Sequence, residues 1–114
     1  MRLGHIELFV RDPLASREFY EKILGFEVVA VQGPNLWLKI GGVEVLLRPG
    51  TGPAVRDYGS AATGLVIYTD NIAATAAQLE ERGLTSSGTD GSDKCLTFRD
   101  PHGHWFQLVN PNDH

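Results

Sequence analysis

The chain has 114 residues and 12.5 kDa, 42% of them hydrophobic and 21% charged, which suits one compact domain or two small halves and excludes disordered, collagen-like and coiled-coil classes. Ten basic against fourteen acidic residues give a net charge of −4, and the scattered Lys and Arg form no stripe that could follow a phosphate backbone, so nucleic acid is excluded as a partner. Apolar runs stop at four or five residues, far short of the roughly 18–20 that span a bilayer, so no membrane partner is expected. The single cysteine, Cys95, leaves no internal disulfide, and Met1 leads straight into an alternating segment without a signal-peptide core; both point to the cytoplasm.

In chain order, Ile6, Leu8 and Val10 alternate as a first strand. Asp12 as N-cap and Pro13 at the first helical position predict a helix, with Ala15, Phe19 and Ile23 as its apolar stripe, widened by Tyr20 and Leu24, and Gly25 as its stop. Strands are predicted at Phe26–Val31, Leu36–Ile40 and Val43–Leu47. The segment from Arg48 to Ala61 is rich in Pro and Gly and lacks alternation, so it reads as a connection, with Tyr58 placed to fold over a cavity. The pattern then repeats. Leu65 and Ile67 alternate, Asp70 is the predicted cap of a helix carrying Ile72, Ala76 and Leu79, and Gly83 ends it at the same spacing from Asp70 as Gly25 from Asp12. Strands at Thr85–Gly88, Lys94–Phe98 and His104–Val109 complete the second half, with three extra residues assigned to the loop 88–93. The chain therefore reads as a duplicated βαβββ module in one domain: module 1 over residues 1–48, a connection over 49–61 and module 2 over 62–114.

One helix per module covers one sheet face, and strand period sorts the residues left on the other. His5, Glu7 and Phe9 oppose the apolar set of the first strand; Glu44, Leu46 and Arg48 oppose Val43, Val45 and Leu47; Trp105 and Gln107 oppose Phe106 and Leu108. That imidazole, carboxylate, amide and aromatic mixture has the character of a pocket lining, to which Tyr68 is added by parity with Gly64. Cys95 is expected to be a small buried apolar residue, and His102, His104 and His114 to be structural or incidental. Gly-rich phosphate loops, HExxH, CxxC and GxSxG are all missing, so covalent serine and phosphoryl-transfer chemistry have no footing.

His5-Ile6-Glu7-Leu8-Phe9-Val10-Arg11-Asp12, Phe19-Tyr20 with Leu24-Gly25-Phe26, and Asp100-Pro101-His102-Gly103-His104-Trp105-Phe106-Gln107-Leu108 resemble the vicinal oxygen chelate superfamily of glyoxalase I, bleomycin-resistance proteins, fosfomycin-resistance enzymes and extradiol dioxygenases. The resemblance covers nearly the whole chain. It implies an α+β fold of two tandem βαβββ modules whose mixed sheets curl around a cavity, commonly in a homodimer. It also implies metal ligands on the first and last strands of each module. His5 matches. Gln107 stands where the family's carboxylate does, keeping an oxygen donor without the charge. The second imidazole's position falls at Gly64 or Thr63, and the remaining ligand position at Glu44 or, through the alignment of Gly42 with Gly103, at Leu46.

The leading expectation is a protein that holds a small organic molecule in a concave cavity lined by His5, Phe9, Arg48, Tyr68, Trp105 and Gln107, with a degenerate metal centre or none. One alternative is a divalent-metal-dependent lyase or isomerase, or a dioxygenase-like enzyme, in which His5, Glu44 and Gln107 hold Zn, Ni, Mn or Fe and Glu44 or Glu7 moves the proton. Another is a resistance protein that sequesters a bleomycin-type antibiotic, with Trp37 or Trp105 clamping a cationic aromatic drug.

Overall fold

The computed structural model describes residues 1–85 and 95–113. They form two compact units, Met1–Pro53 and Ala54–His114, each with its own small mixed sheet, an α+β arrangement.

In the first unit β1 (Ile6–Val10), β2 (Glu27–Gln32), β3 (Asn35–Ile40) and β4 (Val43–Pro49) make a sheet in the order β1-β4-β3-β2. β1 runs parallel to β4 and the remaining pairs are antiparallel. Parallel neighbours need a crossover, and residues 11–26 supply it. The helix expected from Asp12 to Gly25 is shorter and wider than its sequence pattern suggests. Residues 13–16 are turns, Arg17 is a single α-helical residue, and Glu18–Ile23 is a helix of π geometry. Asp12 still caps, its Oδ1 accepting from the Ala15 amide at 3.2 Å, but the Ser16 amide is shared between the Asp12 and Pro13 carbonyls. That tightened start turns Ala15 to solvent and buries Ser16 in its place. The wide turn, closed by Leu24 N–H donating to the Phe19 carbonyl, lets the adjacent Phe19 and Tyr20 both enter the core. Gly25 takes φ 78°, and Phe26 N–H donates back to the Tyr20 carbonyl at 2.8 Å. Tyr20 then packs edge-on against Phe19 and Phe26. The Phe19-Tyr20 and Leu24-Gly25-Phe26 motifs are thus one aromatic core cluster and its helix stop.

In the second unit β5 (Leu65–Tyr68), β6 (Cys95–Arg99) and β7 (Trp105–Val109) pair in the order β5-β7-β6, with β5 parallel and β6 antiparallel to β7. The first and last strands of each unit therefore pair in the same way. The helix α1 (Ile72–Glu81) follows β5, buries Leu79 and packs on β6. Its cap is Asn71, whose side chain accepts from the Ala74 amide at 3.0 Å, and Asp70 instead offers its carbonyl to Asn110 Nδ2. Sequence spacing could not choose between two adjacent capping residues. Gly83 (φ 110°) donates to the Glu80 carbonyl and Leu84 to that of Leu79, the paired bonds that close a helix on a left-handed residue. Phe98 and Phe106 stack 5.2 Å apart on the core side, with Leu108 buried beside them. Thr85 lies outside any element; the rest of the strand predicted at Thr85–Gly88, together with the loop 88–93, Lys94 and His114, falls outside the described residues.

Candidate functional site

In the first unit the β1–β4 register sets Glu7 beside Leu46 and Phe9 beside Arg48, and β3 adds Trp37 beside Leu46. All stand on the face opposite the core set Leu8, Val10, Val45 and Leu47. His5 Nε2 lies 2.8 Å from Glu7 Oε2, and Arg48 Nη1 donates to Glu7 Oε1 at 3.1 Å. The His5 ring meets the Trp37 ring edge-on, centroids 4.8 Å apart, and Trp37 Nε1–H donates to Gln32 Oε1. The hydrogen bond from His5, and then that from Arg48, hold the Glu7 carboxyl below its ordinary range. Ionised, Glu7 only accepts, so His5 Nε2 carries a proton toward it. Glu44 shares this face but stands apart from the network, exposed and in register with Lys39. Phe9 is 49% exposed, a large apolar ring open to a ligand.

In the second unit Trp105, Gln107 and Val109 share one face, with Arg99, Thr97 and Cys95 opposite them on β6 and Val66 and Tyr68 on β5. Trp105 and Gln107 are buried, whereas Tyr68, at the far end of β5, is 69% exposed. Trp105 Nε1–H donates to the Val55 carbonyl at 3.1 Å, the Arg99 guanidinium lies 5.2 Å from the indole ring centre, and Tyr58 meets that ring edge-on at 6.0 Å. Below this cluster the Asp100 carboxylate accepts from the His102 and His104 amides at 2.9 and 2.8 Å, and Gly103 takes φ 95° against Ala54. The Asp100-Pro101-His102-Gly103-His104 run is a turn that launches β7, and both histidines belong to it through their backbones.

Of the residues singled out by sequence, the first unit thus joins His5, Glu7 and Arg48 into one network with Phe9 alongside, and the second sets Trp105 and Gln107 on one strand face. Arg99 and Lys39 were not foreseen. Their partners on the face become visible only once cross-strand register is known, because alternation alone does not say which residues stand side by side.

With the first residues of β1 and β5 taken as counterparts, the registers relate further positions of the two units. Ile6 pairs with Val45 as Leu65 pairs with Phe106, so His5 corresponds to Gly64, Glu7 to Val66 and Leu46 to Gln107. Glu44 corresponds to Trp105.

Residues 2–108 match the family model described as the Glyoxalase/Bleomycin resistance protein/Dioxygenase superfamily, and the chain belongs to that superfamily. Among solved structures it is similar to TnmS3, an antibiotic binding protein from Streptomyces sp. CB03234, at 25% identity over 97% of this chain and 98% of that one, with a TM-score of 0.73. It shares the fold of the fosfomycin resistance protein FosX from Listeria monocytogenes, complexed with Mn(II) and sulfate, at 17% identity, 96% and 89% coverage and a TM-score of 0.77. The lactoylglutathione lyase of Agrobacterium tumefaciens has the same fold at 17% identity, 96% and 93% coverage and a TM-score of 0.73. No helix among the described residues is long and apolar enough to cross a membrane.

A divalent ion, where the family uses one, asks for imidazoles and charged carboxylates. The corresponding positions here carry one imidazole, a glycine, a buried leucine and a buried amide. The imidazole is bonded through Nε2 to Glu7, and a Cβ at Gly64 would meet the Tyr58 ring unless that ring shifted. Among the described residues no three His, Cys, Asp or Glu side chains are grouped so that they could hold a metal ion.

Proposed function

We propose that this protein binds a small organic molecule against its polar and aromatic sheet faces and does so without a resident divalent metal. The observation that carries this reading is the 2.8 Å contact of His5 Nε2 with Glu7, closed from the other side by Arg48. It engages Nε2 of the one imidazole at the family's ligand positions with a carboxylate and sets a polar edge beside Phe9 and Trp37. Planar molecules bearing oxygen suit such a surface, since the rings offer stacking area and the cations offer donors. Glu7 is a poor base in this setting, because two hydrogen bonds already stabilise its ionised form. Calorimetric titration with small aromatic carboxylates, aromatic ketones and metal-free bleomycin, with and without chelator, tests the reading. Saturable binding of at least one of them, indifferent to chelator, is expected; no heat from any of them, or binding that requires a divalent ion, overturns it.

The 25% likeness to an antibiotic binding protein favours a second reading, in which the molecule held is an antibiotic and the protein protects by sequestering it. Expression in a bleomycin-sensitive host should then raise tolerance while the recovered drug keeps its mass; unchanged tolerance removes bleomycin from consideration. A homodimer and a cytoplasmic location belong to the same proposal, and light scattering of the purified chain checks the first.

A further inference from the structure

Among the described residues each sheet carries one arginine on the face opposite its core, and the two are placed differently. Arg48 of β4 donates to Glu7 Oε1 at 3.1 Å, so a carboxylate on the neighbouring strand balances its charge. Arg99, the last residue of β6, stands in register with Trp105, and its guanidinium carbon lies 5.2 Å from the indole ring centre. A cation–π contact draws on the charge of the guanidinium but supplies no oxygen acceptor for its N–H donors. Among the described residues no carboxylate pairs with Arg99, and the adjacent Asp100 is buried with Oδ1 accepting from the His102 and His104 amides. The ring beneath the cation is itself fixed. Trp105 is buried, its Nε1–H donates to the Val55 carbonyl, and the Tyr58 ring meets it edge-on. Arg99 remains exposed above it. The second unit thus offers a cation that is seated on a rigid platform, open to solvent and without a counter-charge among the described residues.

We propose that Arg99, seated on Trp105, is the anion-recognising residue of the binding face, and that the molecule held carries a carboxylate on an aromatic body. The inference rests on the small-molecule reading above and narrows it from an oxygen-bearing molecule to an acid. The planar fork of a guanidinium matches the two oxygens of a carboxylate, and a charged acceptor makes each N–H bond stronger than a ketone would. The indole restricts the side chain before the ligand arrives, which reduces the rotamer freedom that binding has to remove. Apolar area for the body stands on the same face, where Val66 is 46% exposed across the sheet from Arg99. Arg48 is the poorer receptor, because an incoming anion there meets the Glu7 carboxylate as well.

Two probes of matched shape, 2-naphthoate and 2-naphthamide, differ in charge and serve as the ligands in calorimetric titrations at pH 7. At low salt the wild-type chain should favour the naphthoate by about tenfold, the size of one hydrogen bond to a charged group discounted for an exposed side chain. The preference should shrink at high salt. Arg99→Gln should bring the two affinities together by weakening the naphthoate only, and an unchanged affinity for the naphthamide shows that the face is intact. Arg99→Lys keeps the charge without the fork and should retain part of the preference. If the wild type binds both probes equally, or if the preference survives Arg99→Gln, the assignment of Arg99 is wrong and the binding function stands. If neither probe binds the wild type, the acid-binding proposal falls, and the small-molecule reading falls with it only when aromatic ketones and metal-free bleomycin also give no heat.

Discussion

Gln107→Glu restores the carboxylate that the family pattern places at the end of the last strand, and its consequence can be worked out from the face on which the residue sits. Gln107 is 3% exposed, with Val66 and Thr97 as its in-register neighbours. The charged group on the same side of β6 is Arg99, whose guanidinium lies over Trp105. A carboxylate introduced there loses its water, and among the described residues Arg99 is already engaged over Trp105, so the change costs about 3 kcal/mol at neutral pH. For a chain of this size that is a fall of roughly 10 °C in midpoint. Burial raises the folded-state pKa of the new acid above its unfolded value, so the penalty is present above the folded pKa and disappears below the unfolded one. Urea denaturation at pH 7 and pH 4 reads both effects. Gln107→Leu is the control, since it loses the amide's hydrogen bonds by about 1–2 kcal/mol with no pH dependence. A Gln107→Glu variant as stable as the wild type at pH 7, with no gain on acidification relative to Gln107→Leu, would refute the buried placement of this residue and the face built on it.

Asn71→Ala should cost about 1 kcal/mol, read by thermal melting, because it removes the side-chain oxygen that accepts from the Ala74 amide; Asp70→Ala should cost less, as its contact to Asn110 is made by the backbone. Glu7→Gln should destabilise the chain at neutral pH and make no difference in strong acid. The wild-type carboxyl has a lowered folded pKa, so its contribution is present above the unfolded value and is lost as pH falls through the folded one. Denaturation of both proteins across pH 3–7 checks the direction.

The strand and helix order could be read from residues because glycine stops, capping side chains and period-two alternation are local signals. Ile6, Leu8 and Val10, or Ile72, Ala76 and Leu79, announce their faces without help from the rest of the chain. The π geometry at Glu18–Ile23 could not be read in this way. It follows from burying two adjacent aromatics, Phe19 and Tyr20, against Phe26, a tertiary demand that overrides the regular helical stripe and turns Ala15 outward. The candidate site divides along the same line. Alternation marks His5, Glu7 and Arg48 as sharing a side, but their hydrogen bonds arise from β1 lying parallel to β4, a pairing between distant segments. Tyr58 was visible as a ring in a connecting segment, whereas its seat over Gly64 depends on how that segment folds back upon β5.

Metal content and affinity test the central claim most directly, since everything said of function depends on His5 being held by Glu7 and not by an ion. Protein purified without chelator, then dialysed against micromolar Mn(II), Ni(II) or Zn(II), should carry each ion well below one equivalent, and His5→Ala should leave that content unchanged. One tightly held equivalent that disappears in His5→Ala would contradict the account.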